Sequence, residues 1–292
     1  MKSLVVGMGI GQLYKSVLEK LEYEVITVDS DPSKNADFSN IDSAIMQHDQ
    51  FDTAHICTPN FTHFELSSKV APYTKIVFIE KPGVETSAQW ETLNNNYPST
   101  RFMMVKNNMW RSNIQELRAT AQKAKNVNIE WIRRNCIPSP GSWFTTRKLA
   151  FGGVSRDLMP HLLSLYIALN DDWQRERINS AGTLQHWLLE DIESTEYGTV
   201  YPNGTYDVDD ECMISFGHKW YARANWRSMS TERSAITFTN QDNTQEVFEL
   251  GWCPEEAYEN MIMDATKNLN NTEFCAEHFA IHMWIHKILE RR

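Results

Sequence analysis

The chain has 292 residues, a formal net charge of −10 at pH 7, 41% hydrophobic residues and 23% charged residues. This is the balance of a globular protein with room for two domains. Its acidity argues against a nucleic-acid partner, whose phosphates need a basic face. No apolar run approaches the ~20 residues of a membrane span. The N-terminus enters a strand without a signal-peptide pattern, so a cytoplasmic location is expected. Five scattered cysteines (Cys57, Cys136, Cys212, Cys253, Cys275) include no Cys-x-x-Cys. They read as free, mostly buried thiols rather than a disulfide framework or a metal site.

In chain order, Ser3 to Val6 is a short apolar strand, and Gly7-Met8-Gly9-Ile10-Gly11 follows at once. Leu13, Val17, Leu18 and Leu21 then recur at helical spacing, and Val25 to Val28 forms a second strand ending at Asp29. Strand, glycine-rich turn, helix, strand and acid, in that order, make the dinucleotide-binding pattern. The glycines let the backbone approach a pyrophosphate, the helix N-terminus supplies amide donors, and Asp29 is placed to accept from ribose hydroxyls. Gly7, Gly9, Ile10, Gly11 and Asp29 are therefore candidate cofactor residues. The third glycine of the usual spacing falls at Gln12, with Gly11 one position early, so an altered turn is expected. Asp29 repels a 2′-phosphate, which favours NAD over NADP; Lys34 is the one nearby residue that argues otherwise.

The alternation continues. A short helix over Ile41 to Met46 precedes the apolar strand Thr53 to Cys57, which closes on Thr58-Pro59-Asn60, with His63 three residues on. A helix marked by Phe64, Leu66, Val70 and Ala71 leads to the strand Lys75 to Ile79, which runs into Glu80-Lys81-Pro82. A helix around Ser87 to Asn95 and the strand Phe102 to Val105 follow. Strands alternating with helices predict a doubly wound parallel sheet. In such sheets ligands sit outside the carboxyl ends of the strands, where Glu80 and Lys81 stand.

The second half reads differently. Asn113 to Ala124 is a helix, Val127 to Cys136 a strand, and Asp157 to Leu169 a helical stretch on which Asp157 and His161 share a face as i and i+4. Strands are expected over 183–189, 196–200, 207–216, 220–229, 234–239 and 245–250, with hairpin turns at Asn203-Gly204 and Gly217-His218-Lys219. Successive strands without helices predict a largely antiparallel open sheet. A helical pattern resumes at Glu255. The expected architecture is α/β, with a Rossmann domain over 1–110 and an α+β domain for substrate binding and oligomerisation over 111–292.

The chain resembles the Gfo/Idh/MocA family of NAD(P)-dependent oxidoreductases. The carrying residues are Gly7 and Gly9, Thr58-Pro59-Asn60 with His63, Glu80-Lys81-Pro82, and the block Gly152-Gly153-Val154-Ser155-Arg156-Asp157-Leu158-Met159-Pro160-His161. Met159 and Pro160 depart from the small residue and glycine common there. The resemblance implies NAD as cofactor, a sugar, cyclitol or related polyol as substrate, and Lys81, Asp157 and His161 as the catalytic set. Thr58, Pro59, Asn60, His63, Glu80 and Lys81 would line the cofactor pocket, and a homo-oligomer would form through the second sheet. Trp187, Trp220, Trp226 and Trp252 are candidates for that face, with ordinary core positions as the alternative.

Oxidising an alcohol moves a hydride to nicotinamide and a proton to a base. An imidazole pKa of roughly 6.5 makes His161 the better base, while an exposed lysine near ~10.4 stays protonated. Lys81 is then expected chiefly to hydrogen-bond the reacting oxygen, with a share in the proton relay, and Asp157 to orient substrate or His161. Arg133, Arg134 and Arg147 are candidates for binding a polar or anionic substrate, with a plain surface role as the equal alternative. His278, His282 and His286 recur every four residues without accompanying carboxylates, which points to a solvated or interfacial stripe rather than a metal site. Two other readings stay open: a non-catalytic ligand sensor like the galactose-pathway repressors, and an NAD-dependent glycosidase.

Overall fold

The computed structural model describes residues 1–290, and the chain divides into two compact units. The first unit begins with β1 (Lys2–Val6), α1 (Gly11–Lys20), β2 (Glu24–Val28), α2 (Ile41–His48), β3 (Phe51–Ile56), α3 (His63–Val70), β4 (Thr74–Ile79), α4 (Ser87–Asn96) and β5 (Arg101–Met104). All neighbouring strands pair in parallel, in the order β2-β1-β3-β4-β5. β3 and β4 are almost wholly buried because helices cover both faces, which is why they read as continuous apolar runs. Sequence order reverses direction across the β1–β3 pair, so the crevice that takes ligands in open parallel sheets lies at the ends of these two strands.

The second unit, Lys106–Pro254, contains α5 (Ile114–Lys123), β6 (Asn126–Ile132), α6 (Arg147–Ala150), α7 (Val154–Asp157), α8 (Met159–Leu169), β7 (Ile178–Leu184), β8 (Glu211–Phe216), β9 (Trp220–Asn225), β10 (Arg233–Thr239) and β11 (Gln245–Glu249). Its six strands run β11-β10-β6-β9-β8-β7, antiparallel except for the β6–β9 pair. The apolar helix α8 packs on β6 and β9. Within that layer Tyr166 stacks on Phe216 at 4.2 Å between ring centroids and meets Trp220 edge-on.

Two helices, α9 (Glu255–Lys267) and α10 (Thr272–Glu290), return to the first unit, although chain order places them in the second domain. α9 packs on α1, and α10 packs on α4 and β5. The histidines of α10 are buried rather than a solvated stripe. His286 faces the Val84 carbonyl through Nε2 at 2.7 Å, His282 Nε2 accepts from the Met104 amide, and Trp90 stacks on His282 at 4.8 Å. Their partners lie some two hundred residues away, out of reach of a local pattern. A fully buried tryptophan such as Trp90 contributes about 4–6 kcal/mol of transfer free energy.

Three expectations for the second sheet change. The strand expected over 183–189 is Ile178–Leu184, followed by a one-turn helix at Leu189–Asp191. Residues 196–200 form no strand: Glu196 and Tyr201 donate to the carbonyls of Asn135 and Pro140, and Ser139 donates to Tyr197, so this segment is tied to a loop. Asn203-Gly204 accordingly joins no hairpin, whereas Gly217 to Lys219 does join β8 to β9. Trp220 and Trp226 are core residues; only Trp252 of the four candidates is largely exposed. All five cysteines are free, and no helix among the described residues is long and apolar enough to cross a membrane.

Candidate functional site

In the first unit the sequence-predicted residues gather at the carboxyl ends of four adjacent strands. Gly7 leaves β1 with φ +90°, and a Cβ there would lie 2.7 Å from the Cys57 carbonyl oxygen, so the turn after β1 presses on the turn after β3. Gly9 is exposed, and a Cβ there would meet nothing within 4 Å. Gly11 is the first residue of α1, and its missing Cβ would sit 3.0 Å from Val5 Cγ1. Gly11 thus takes the helix-to-strand packing role of the usual third glycine, and Gln12 is left exposed. Ile10 caps the helix and is 44% exposed.

Asp29 is stitched to this turn. Its Oδ2 accepts from the Met8 amide at 2.6 Å and its Oδ1 from the Asp31 amide at 2.8 Å, while the Gly7 amide donates to Val28. Lys34 ends an exposed one-turn helix at Pro32–Lys34. The open space at Gly9 and the half-buried Asp29 fit a dinucleotide: pyrophosphate at the helix N-terminus, ribose hydroxyls on the carboxylate.

After β3, Thr58, Pro59 and Asn60 are half-buried, and the Thr58 and Thr62 hydroxyls bond at 2.6 Å. His63 is buried, with Nδ1 2.6 Å from the Gly83 carbonyl and Nε2 2.7 Å from the Thr58 carbonyl. Burial lowers its pKa. His63 therefore ties the turn after β3 to the turn after β4. After β4, Glu80 is buried, Lys81 half-buried, and the Lys81–Pro82 peptide is cis. Glu80 Oε1 accepts from the Tyr14 hydroxyl at 2.6 Å and Oε2 from the Lys81 amide at 3.1 Å. Burial, then the Glu80 carboxylate, push the Tyr14 phenol up, so Tyr14 stays a donor. Sequence reasoning missed Tyr14, whose partner is 66 residues away; a tyrosine on the buried stripe of α1 was the available signal.

In the second unit, Gly152-Gly153 precedes α7 and is gripped by Asp209, whose carboxylate accepts from the Gly153 and Ser155 amides. A Cβ at Gly153 would overlap the Asp209 backbone, so glycine is required there. Asp157 ends α7, while His161 lies on α8 beyond Leu158 and Pro160, so the single helix expected there is two. Asp157 Oδ2 accepts from Trp226 Nε1 at 2.9 Å. His161 lies 5.6 Å from Trp131 between ring centroids, and its Nδ1 is 3.3 Å from Asn108 Nδ2. Asn108, missed in the sequence, follows β5 with no motif to mark it. Arg133 pairs with Glu232 and lies over the Trp252 ring, Arg147 is bonded to Asp207, and Arg134 is exposed.

Residues 2–103 match the model of the Gfo/Idh/MocA family, described as an oxidoreductase family with an NAD-binding Rossmann fold. A proposed UDP-kanosamine synthase oxidoreductase subunit from Amycolatopsis mediterranei is 29% identical over 178 residues. That match spans 56% of this chain and 49% of the relative, about half the relative's length. GenD2 from gentamicin A biosynthesis, solved in complex with NAD, superposes with a TM-score of 0.77 at 16% identity, covering 99% of this chain and 92% of its own. Levoglucosan dehydrogenase with NADH and levoglucosan gives 0.72 at 14% identity, covering 99% and 96%. At these identities the structural likeness shows the fold.

Proposed function

We propose that this chain, whose residues 2–103 match the Gfo/Idh/MocA oxidoreductases, is a member of that family and an NAD-dependent dehydrogenase acting on a hydroxyl-bearing carbon of a sugar, cyclitol or related polyol. The observation that carries the reading is the glycine turn itself. It is open at Gly9, closed against the neighbouring turn at Gly7, and tied to the carboxylate of Asp29. Gly7, Gly9, Ile10 and Gly11 would hold the pyrophosphate, Asp29 the adenosine ribose, and Thr58, Pro59, Asn60 and Glu80 the remainder. Bound NAD supplies the hydride acceptor.

The chain's own residues orient the substrate and manage its proton. Lys81 directs its amine at the reacting oxygen. Asp157, fixed by the Trp226 indole, orients the substrate, and His161, walled by Trp131, completes the catalytic set. The polyol class is supported by the names of the structural relatives, which include a levoglucosan dehydrogenase. The test is a screen of purified protein with NAD⁺ against anhydrosugars, hexoses and cyclitols, following reduced nicotinamide by absorbance. Turnover on at least one polyol, lost in Lys81→Ala, is expected. Glycoside cleavage with no net reduction of NAD⁺ would overturn the dehydrogenase in favour of a glycosidase.

A further inference from the structure

His161 stands at the end of a chain of buried polar groups that runs through Asn108 to Arg111. Asn108 is 1% exposed, and Arg111 beside it is also buried. Arg111 Nε lies 2.8 Å from Asn108 Oδ1. A guanidinium nitrogen only donates, so the atom facing it is the amide oxygen, and the amide orientation is fixed by chemistry. The other end of the amide, Nδ2, is then the atom 3.3 Å from His161 Nδ1. An amide NH₂ only donates, so Nδ1 of His161 accepts and carries no proton. In the neutral ring the single proton is therefore on Nε2. Trp131, tilted 47° to the imidazole, holds the ring plane.

We infer that Arg111 and Asn108 are positioning residues that lock His161 in its Nε2–H tautomer, so that His161 presents a hydrogen-bond donor to the reacting oxygen and is not the proton acceptor. The inference rests on the function proposed above and refines the roles within it. A donor at that oxygen favours the oxidised, carbonyl form and the charge that builds as the O–H bond breaks. To serve as a base, His161 would take its proton at Nδ1 and break the bond to Asn108. The hydroxyl proton therefore goes to a second base, for which the proposed function offers the amine of Lys81 once it is held in its neutral form: the O–H bond breaks, an N–H bond forms, and the amine becomes the ammonium. This reverses the sequence-based preference for His161 as the base, which rested on side-chain pKa values alone.

The test is nitrogen-15 NMR of the histidine rings in the full chain above pH 8, with the His161 signals assigned by their loss in His161→Gln. The expected result is an unprotonated Nδ1 and a protonated Nε2. In Asn108→Asp the carboxylate can only accept, so the proton should move to Nδ1 and turnover fall about a hundred-fold or more, the cost of presenting the wrong tautomer. A merely structural Asn108 would not reverse the tautomer. A protonated Nδ1 in the unaltered protein would overturn the inference, as would an unchanged tautomer in folded Asn108→Asp. The NMR readout needs neither cofactor nor substrate, so the expected tautomer without turnover on any polyol would count against the proposed function and leave the tautomer lock standing.

Discussion

Gly7 and Gly9 stand two residues apart in one turn, yet the structure gives them opposite sensitivities to one added methyl group. At Gly7 the backbone has φ +90°, and a Cβ would lie 2.7 Å from the Cys57 carbonyl oxygen and 2.9 Å from Thr58 Cγ2. The positive φ alone costs roughly 1–3 kcal/mol for a residue with a side chain. Displacing the backbone of a neighbouring turn adds to that, so Gly7→Ala should cost about 2–4 kcal/mol. The melting temperature would then fall roughly 5–10 °C. At Gly9 no atom lies within 4 Å of the added Cβ, so Gly9→Ala should leave stability within about 0.5 kcal/mol. Its methyl instead fills the space where a pyrophosphate meets the helix N-terminus. NADH affinity should drop about ten-fold or more, close to 1.4 kcal/mol. The assay is thermal unfolding of both variants beside NADH titration by fluorescence. A Gly9→Ala protein that binds NADH as the unaltered chain does would refute the placement of the phosphates.

Other substitutions probe separate parts of the account. Asp29→Ser removes the acceptor for the Met8 amide and the charge that repels a 2′-phosphate; NADH affinity should fall about ten-fold while NADPH loses less, measured by parallel titrations. Trp226→Phe removes the donor to Asp157 and should lower kcat/KM roughly ten-fold with NADH binding unchanged, read from steady-state kinetics. His55 is stacked on Phe78, its ring nitrogens have no hydrogen-bond partner among the described residues, and burial lowers its pKa to about 3. The unfolded chain takes up a proton below roughly pH 6.5 and the folded chain does not, so this stability is complete above that pH and is lost as pH falls toward 3. The loss reaches about 2 kcal/mol by pH 5. The melting temperature of His55→Phe should therefore drop less between pH 7 and pH 5 than that of the unaltered protein.

The parallel sheet was legible because strands buried on both faces leave unbroken apolar runs, as in Ile76 to Ile79, and because turn residues mark their ends. Gly7, Gly9 and Asp29 were readable by spacing, yet the role of Gly11 was not, since its neighbour Val5 is a matter of packing. The segment 196–200 carries strand-forming residues, but its backbone partners belong to the loop 135–140, which no periodicity reveals. The same limit hid the burial of His282 and His286, the Tyr14–Glu80 bond and the Asn108–His161 pair. In each, a polar side chain finds its partner across the fold. The helix break at Leu158 follows from Pro160, which cannot donate within the ladder.

The most direct measurement is NADH titration of the unaltered chain and of Lys81→Ala, followed by turnover on the best polyol from the screen. The account predicts saturable NADH binding with dissociation constants within about two-fold of each other, and turnover only in the unaltered chain. Absence of NADH binding, or equal turnover in Lys81→Ala, would contradict it.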